Sequence, residues 1–303
     1  MRLATAVVGT GPRVVVVGEG GSFVLLDDLV PGAPSDMIGV ITEWERIGHL
    51  LADRSPMTSP RPSSPSEARL LAPIPRPRRN VFCVGWNYSE HFAEGQAIRG
   101  EHGPTEIPQH PALFTKNAAA VVGPDAPVWH PGPHSNELDW EVELAVVIGK
   151  GGRDIQEGRA MEHVFGYTIG NDVSVRDHQR TRHGGQWSKG KSFDTHCPLG
   201  PWIVTPDEIP DPHVLAITSR VNGETKQSSN TRHMVFTIPR IIAELSAGLA
   251  LEPGDVILTG TPEGVGFART PPQFLAVGDL MEMEIQGIGV LRNRIVEYGG
   301  GAP

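Results

Sequence analysis

The sequence predicts a strand-dominated α+β fold, and three observations carry that expectation. There are 36 Gly and 28 Pro among 303 residues, and they divide the chain into many short apolar runs, as strands and turns do and helical bundles do not. Residues 137–144 alternate acidic and apolar side chains with a period of two. Long helical patterning is confined to residues 37–54 and to an amphipathic stretch from Thr237 closed by Gly248.

Taken in order, RVVVV at 13–17 and SFVLL at 22–26 read as strands, followed by the helical segment 37–54. Ser55–Arg79 is rich in Pro and Ser without a steady period, so it reads as a connector or strap. The chain therefore divides into a small N-terminal α+β unit with its connector, residues 1–72, and a larger unit, residues 73–303. In the larger unit, residues 80–88, 112–122, 137–150 and 164–174 supply strand candidates. Residues 254–262 and 278–295 supply more, with Gly-Asp turns between them.

The bulk numbers exclude several classes. Hydrophobic residues make up 39% and charged residues 20%, ordinary values for a globular protein. No apolar run approaches the roughly 20 residues of a membrane helix. Arg13 and Glu19 interrupt the N-terminal valines, so a signal peptide fits poorly and a cytoplasmic location is expected. A formal charge of −9 argues against a nucleic-acid partner. Cys83 and Cys197 lie outside any paired metal spacing and read as reduced, buried thiols.

Chemistry concentrates at Glu137, Asp139, Glu141 and Glu143, which alternate with Leu138, Trp140, Val142 and Leu144. A solvated edge strand would carry such a pattern, but LAVVIG follows without a break, so these acids run toward a core. Buried acids need a partner or a cation. Neighbours at i and i+2 stand about 7 Å apart and can share one ion, whereas the ends of the run, about 20 Å apart, cannot. Glu141 and Glu143, nearest the core, are the better pair. Asp172, an ordinary turn aspartate taken alone, becomes a natural third oxygen ligand beside them, and an all-oxygen set suits Mg²⁺ or Mn²⁺.

Other groups suggest acid–base work on an anion. His91 and Glu94 are one helical turn apart, close enough to bond, although a surface i,i+3 pair has the same spacing. Basic and amide side chains crowd residues 172–191, and Lys191 leads back into an apolar segment. Gly260-Thr261-Pro262 after VILT offers N–H groups and a hydroxyl to a carboxylate. No P-loop, nucleophile elbow or GxGxxG opening a helix is present.

Six motifs in order, GWNYSEHFAEG, ELDWEVELAVVIGK, GYTIGNDVSVRDHQ, GKSFDTHCPLGP, VNGETKQ and ILTGTPEGVG, resemble the fumarylacetoacetate hydrolase family. GQWSKGKSFDT and TPPQFLAVGD are most similar to its branch handling bacterial diketo acids and aromatic breakdown products, including the 2-hydroxyhepta-2,4-diene-1,7-dioate isomerases. The resemblance implies a mixed β-sandwich roll, usually a homodimer. It also implies Mg²⁺ or Mn²⁺ (Ca²⁺ can stand in for either in crystals) at Glu141, Glu143 and Asp172. His91 and Glu94 would sit on a lid, while Arg176, Gln179, Lys191 and Thr261 would match substrate-contacting positions. Residues 78–88 lack the additional acidic ligand of the family's founding branch, which makes the founding substrate a poorer expectation.

The expected activity is carbon–carbon hydrolysis of a small 2,4-diketo acid, with His91 as base and Lys191 and Gln179 facing the oxyanion. The alternative on the same site is decarboxylation or isomerisation of a 2-oxo acid such as oxaloacetate. A non-catalytic metabolite-binding protein is a third reading, disfavoured by the His91–Glu94 pair.

Overall fold

A computed structural model describes residues 1–52, 68–99 and 105–299. Its centre is a mixed sheet whose main path runs through nine strands. In spatial order these are Phe23–Leu25, Gly11–Val17, Arg2–Val8, Cys197–Val204, Val164–Asn171, Val142–Ile148, Val256–Leu258, Val81–Gly85 and Ala112–Lys116. Arg69–Leu70 adds to Arg2–Val8, and Val121–Val122 adds to Cys197–Val204. A second sheet, Glu224–Asn230, Ala216–Val221, Leu280–Ile285, Gly289–Val296 and Val128–Trp129, packs against the first. This is the strand-dominated fold expected from the sequence.

The unbroken apolar run Leu144–Ile148 has a simple cause. Leu144, Val146 and Ile148 face the second sheet, packing in one core with Ile217, Met281 and Met283. Ala145 and Val147 face the other way, into a core with Val40, Ile41 and Ile47 of the N-terminal helices. Covering both faces removes the polar alternation that a one-sided strand shows. The N-terminal unit thus shares a sheet and a core with the rest. Its first strand pairs with Cys197–Val204, and Trp44 packs edge-on against Phe165 at 5.0 Å.

Two elements differ from expectation, and a third expectation falls outside the described residues. The helical stretch after residue 36 is two helices, Met37–Thr42 and Trp44–Ala52, the first capped by the Asp36 carboxylate accepting from Gly39 N–H at 2.9 Å. The first part of the expected connector, residues 55–67, lies outside the described residues.

The second difference concerns the acidic run, which is not one strand. Leu138–Asp139 pairs with Ser174–Val175, and only Val142–Ile148 enters the large sheet. Asp139 Oδ1 accepts from the next residue's N–H at 2.8 Å, a local bond that competes with continuing the ladder. The break turns Glu137 outward to Arg180 and leaves Glu141 and Glu143 at the mouth of the sheet.

His196, wholly buried before Cys197–Val204, ties that strand to Trp129 through a 2.8 Å bond from its Nε2 to the Trp129 carbonyl. Burial pushes its pKa from 6.5 down to about 3, so the folded protein holds it neutral. The unfolded chain takes up this proton below about pH 6.5, and the folded chain does not until about pH 3. The stability this group confers is therefore present above that window and is lost as pH falls through it. In urea titrations, the drop in midpoint between about pH 7.5 and 5 should be smaller in His196→Gln than in the parent.

Candidate active site

The mouth of the large sheet gathers the acids by backbone pairing. The Asp172 N–H donates to the Glu141 carbonyl at 2.9 Å, and the Glu141 N–H donates to Asn171 Oδ1 at 3.1 Å. These bonds fix the end of Val164–Asn171 beside the start of Val142–Ile148. One carboxylate oxygen each from Glu141, Glu143 and Asp172 lies within 4.8 Å of the others, and all three residues are buried.

Three buried cations surround them. Lys191 Nζ lies 2.7 Å from both Glu141 Oε2 and Asp172 Oδ2. Lys116 Nζ holds Asp172 Oδ1 at 2.5 Å and the Val173 carbonyl at 3.1 Å. Arg176 reaches Glu141 Oε1 at 2.7 Å and Asp139 Oδ2 at 2.8 Å. Burial alone would raise the Glu141 carboxyl, but Lys191 and Arg176 outweigh it and hold the group well below the usual carboxylate range. Burial would lower Lys191, yet Asp172 and Glu141 raise it above its ordinary value.

Glu143 is the exception. It accepts the Gly260 N–H at 2.6 Å, and burial, reinforced by Asp172 and Glu141, pushes its carboxyl well above the usual range. Counting Asp139, Glu141, Glu143 and Asp172 against Lys116, Arg176 and Lys191 leaves one negative charge over, and Glu143 is the acid without an ion pair among the described residues. A buried carboxylate left over in an all-oxygen cluster is what a hard divalent cation compensates. The residues present fit Mg²⁺ or Mn²⁺.

His91 and Glu94 lie on the helix Ser89–Arg99 above this cluster. His91 Nδ1 is 2.8 Å from Glu94 Oε1, and Glu94 Oε2 accepts the Gly264 N–H at 2.9 Å. The carboxylate is held at both oxygens, so Nδ1 carries the proton it donates and Nε2 is left as the basic nitrogen. His91, Glu141, Glu143, Arg176, Gln179 and Lys191 all border one cavity of about 520 Å³. Sequence reasoning named every one of these six.

Two expectations change. Gly260 was expected to offer its N–H to a substrate carboxylate, but that donor is taken by Glu143. A glycine is required there, because φ is +100° and a Cβ would lie 2.6 Å from Asn87 Cβ. Thr261 lines the cavity, yet its hydroxyl already donates to the Val142 carbonyl at 2.9 Å and accepts from Gln227 at 2.8 Å.

Lys116, Asn87, Gln227 and the role of Asp139 were not foreseen. A lysine closing the apolar strand ALFTK was the available signal for Lys116, which is fully buried. Asp139 joins the Arg176 guanidinium to the N–H groups of Gly266 and Phe267, at 2.7 and 3.0 Å. Asp139→Ala removes one of the two carboxylates paired with the buried Arg176 and orphans the Gly266 and Phe267 N–H groups, and should cost about 3–5 kcal/mol in chemical denaturation. A loss below about 1 kcal/mol would show that Arg176 is held adequately by Glu141 and Gln179.

With this geometry in hand, likeness to known proteins can be placed on residues. The family model for the C-terminal domain of fumarylacetoacetate (FAA) hydrolase matches residues 80–296, which include every residue of the site described above. The human mitochondrial oxaloacetate tautomerase FAHD2A is 46% identical over 288 residues, covering 94% of this chain and 88% of its own. Oxaloacetate tautomerase YisK of Bacillus subtilis (strain 168) is 47% identical over 230 residues, 76% of this chain and 74% of its own. A fumarylacetoacetate hydrolase from Exiguobacterium antarcticum, solved as a structure, superposes with a TM-score of 0.83 at 38% identity, covering 98% of this chain and 100% of its own. These matches run through the motifs that build the cavity, and the chain belongs to the fumarylacetoacetate hydrolase family of enzymes.

Proposed function

We propose that this protein is a divalent-metal-dependent tautomerase of a small 2-oxo acid of the oxaloacetate type, interconverting its enol and keto forms. The observation that carries the reading is that His91, bonded to Glu94, borders the same cavity as Glu141 and Glu143, with the Asp172 carboxylate clustered beside those two acids. The names of the two curated relatives support this alternative over the carbon–carbon hydrolysis expected first.

Mg²⁺ or Mn²⁺ held by Glu141, Glu143 and Asp172 would supply Lewis-acid stabilisation of negative charge on the 2-oxo oxygen. The protein supplies the rest. Arg176 has a buried Nη2 with no partner in the described structure, and that group suits a substrate carboxylate. Lys191, raised in pKa and therefore cationic, neutralises charge at the same end of the cavity. His91 Nε2 moves the proton at C3, and Glu94 keeps the imidazole in the tautomer that can do so. The helix Ser89–Arg99 contributes His91 to the cavity lining.

Hydrolysis is the second reading, because the same Nε2 could deprotonate a water and the Exiguobacterium relative is named a hydrolase. The products decide. Oxaloacetate enol, oxaloacetate and a panel of acylpyruvates are incubated with Mg²⁺ or Mn²⁺, with an EDTA control, and followed by enol absorbance and NMR. Metal-dependent enol–keto exchange without release of a second acid supports the tautomerase. Release of pyruvate with an acid from an acylpyruvate supports the hydrolase, and pyruvate with CO₂ from oxaloacetate a decarboxylase. No conversion of any of them sinks the enzymatic reading.

A further inference from the structure

The cavity is lopsided, with charged side chains concentrated at one end and aromatic rings along one wall. From Lys191 Nζ the Phe114 ring is 5.3 Å away, Trp187 lies 5.3 Å beyond Phe114, and Trp86 lies 4.8 Å beyond Trp187. All three rings are half-buried and line the cavity with Val84. They meet edge to face, at interplanar angles of 71° and 81°, and form one continuous aromatic wall that starts at the reactive end. The seat of Trp187 is built into the backbone, since a Cβ on Gly85 would lie 2.4 Å from the indole. The opposite wall differs, because Phe267 is covered by Arg176 at 4.4 Å and Arg180 at 5.4 Å.

A four-carbon dicarboxylate presents this wall with no apolar surface, and a carboxylate laid against it would lose hydration without gaining a partner. A planar aromatic substituent gains both apolar contact and edge-to-face packing there. We infer that the cavity also accepts 2-oxo acids bearing an aryl group, phenylpyruvate being the simplest, and interconverts their keto and enol forms. The inference rests on the tautomerase reading above. The step is an isomerisation in which the C3–H bond breaks and the enol O–H bond forms, so it needs no oxidant, reductant or co-substrate. The carboxylate and 2-oxo group take the Lys191 end, and the ring begins one carbon further on, against Phe114 and Trp187.

The test compares phenylpyruvate with oxaloacetate on the metal-loaded enzyme, following the enol band of each. Metal-dependent exchange of both is expected. Trp187→Ala should lower the ratio of kcat/KM for phenylpyruvate to that for oxaloacetate by about tenfold, mainly through KM, and Trp187→Phe should restore most of it. If the alanine variant does not fold, Trp187→Leu, which keeps bulk without a π face, addresses the same point. Turnover of oxaloacetate without phenylpyruvate overturns the inference and leaves the tautomerase standing, as does an equal loss on both substrates in the Trp187 variants. Turnover of neither overturns both.

Discussion

Glu143→Gln should lower metal-dependent turnover about a thousandfold while leaving the metal-free protein at least as stable as the parent. The two halves of this expectation have one cause. Glu143 is buried beside Asp172 and Glu141, and its carboxyl is pushed well above the usual range by burial and by those neighbours. Gln keeps the shape and keeps an oxygen for the Gly260 N–H, but it removes the charge that the protein does not otherwise compensate. Metal-free folding therefore loses a repulsion and not an ion pair. The loaded enzyme loses a ligand, and forfeiting several kcal/mol of transition-state charge stabilisation, about 4, corresponds to about 10³ in rate. Calorimetry with and without Mg²⁺ reads both effects, since the cation-dependent rise in Tm should vanish in the variant. A variant that keeps that rise and turns over within tenfold of the parent would remove Glu143 from the cation site. Asp172 is a poorer choice for this test, because its removal leaves the buried Lys116 without its carboxylate and takes one of two from Lys191, which confounds rate with folding.

How much of this was legible in the sequence follows from the range of the forces involved. Period-two alternation and an apolar run of unusual length marked where the strand of Glu141 and Glu143 enters the core, because strand geometry acts within a few residues. The break at Trp140 was not legible, since it depends on Asp139 finding its own backbone and then Arg176, 37 residues away. The pair His91–Glu94 was readable as one helical turn. That Glu94 is also fixed by Gly264, 170 residues on, was not. Gly260 misled in an instructive way. Its motif correctly signals a donor N–H, and only the tertiary pairing of Val142–Ile148 with Val256–Leu258 reveals that the acceptor is Glu143. Lys116 is the clearest omission. A lysine at a strand end is ordinary, and its burial becomes intelligible only when Ala112–Lys116 is placed near Asp172. Local chemistry thus named the reactive groups, while the groups that hold them came from contacts far apart in the chain.

His91→Ala should separate the proton-moving part of the site from the part that holds charge. The imidazole is not bonded to Glu141, Glu143 or Asp172 by any contact in the described structure. Its Nδ1 faces Glu94, and Glu94 is in turn anchored on the Gly264 backbone. Deleting the ring therefore leaves the acids and their three cations in place, and Mg²⁺ affinity by calorimetric titration should stay within about threefold. Turnover should fall by about 10²–10⁴, the range a positioned general base contributes. Glu94→Gln is the companion variant. It retains a side-chain oxygen for Nδ1–H but sets an NH2 donor against the Gly264 N–H, so the imidazole stays in place with a looser anchor and the variant's loss should be smaller than that of His91→Ala. If His91→Ala abolishes metal binding, the helix Ser89–Arg99 is part of the cation site and the two functions are not separable. If it binds metal and still exchanges the C3 proton at the parent rate, the base lies elsewhere in the cavity, and Lys191, which borders the same space, becomes the group to test.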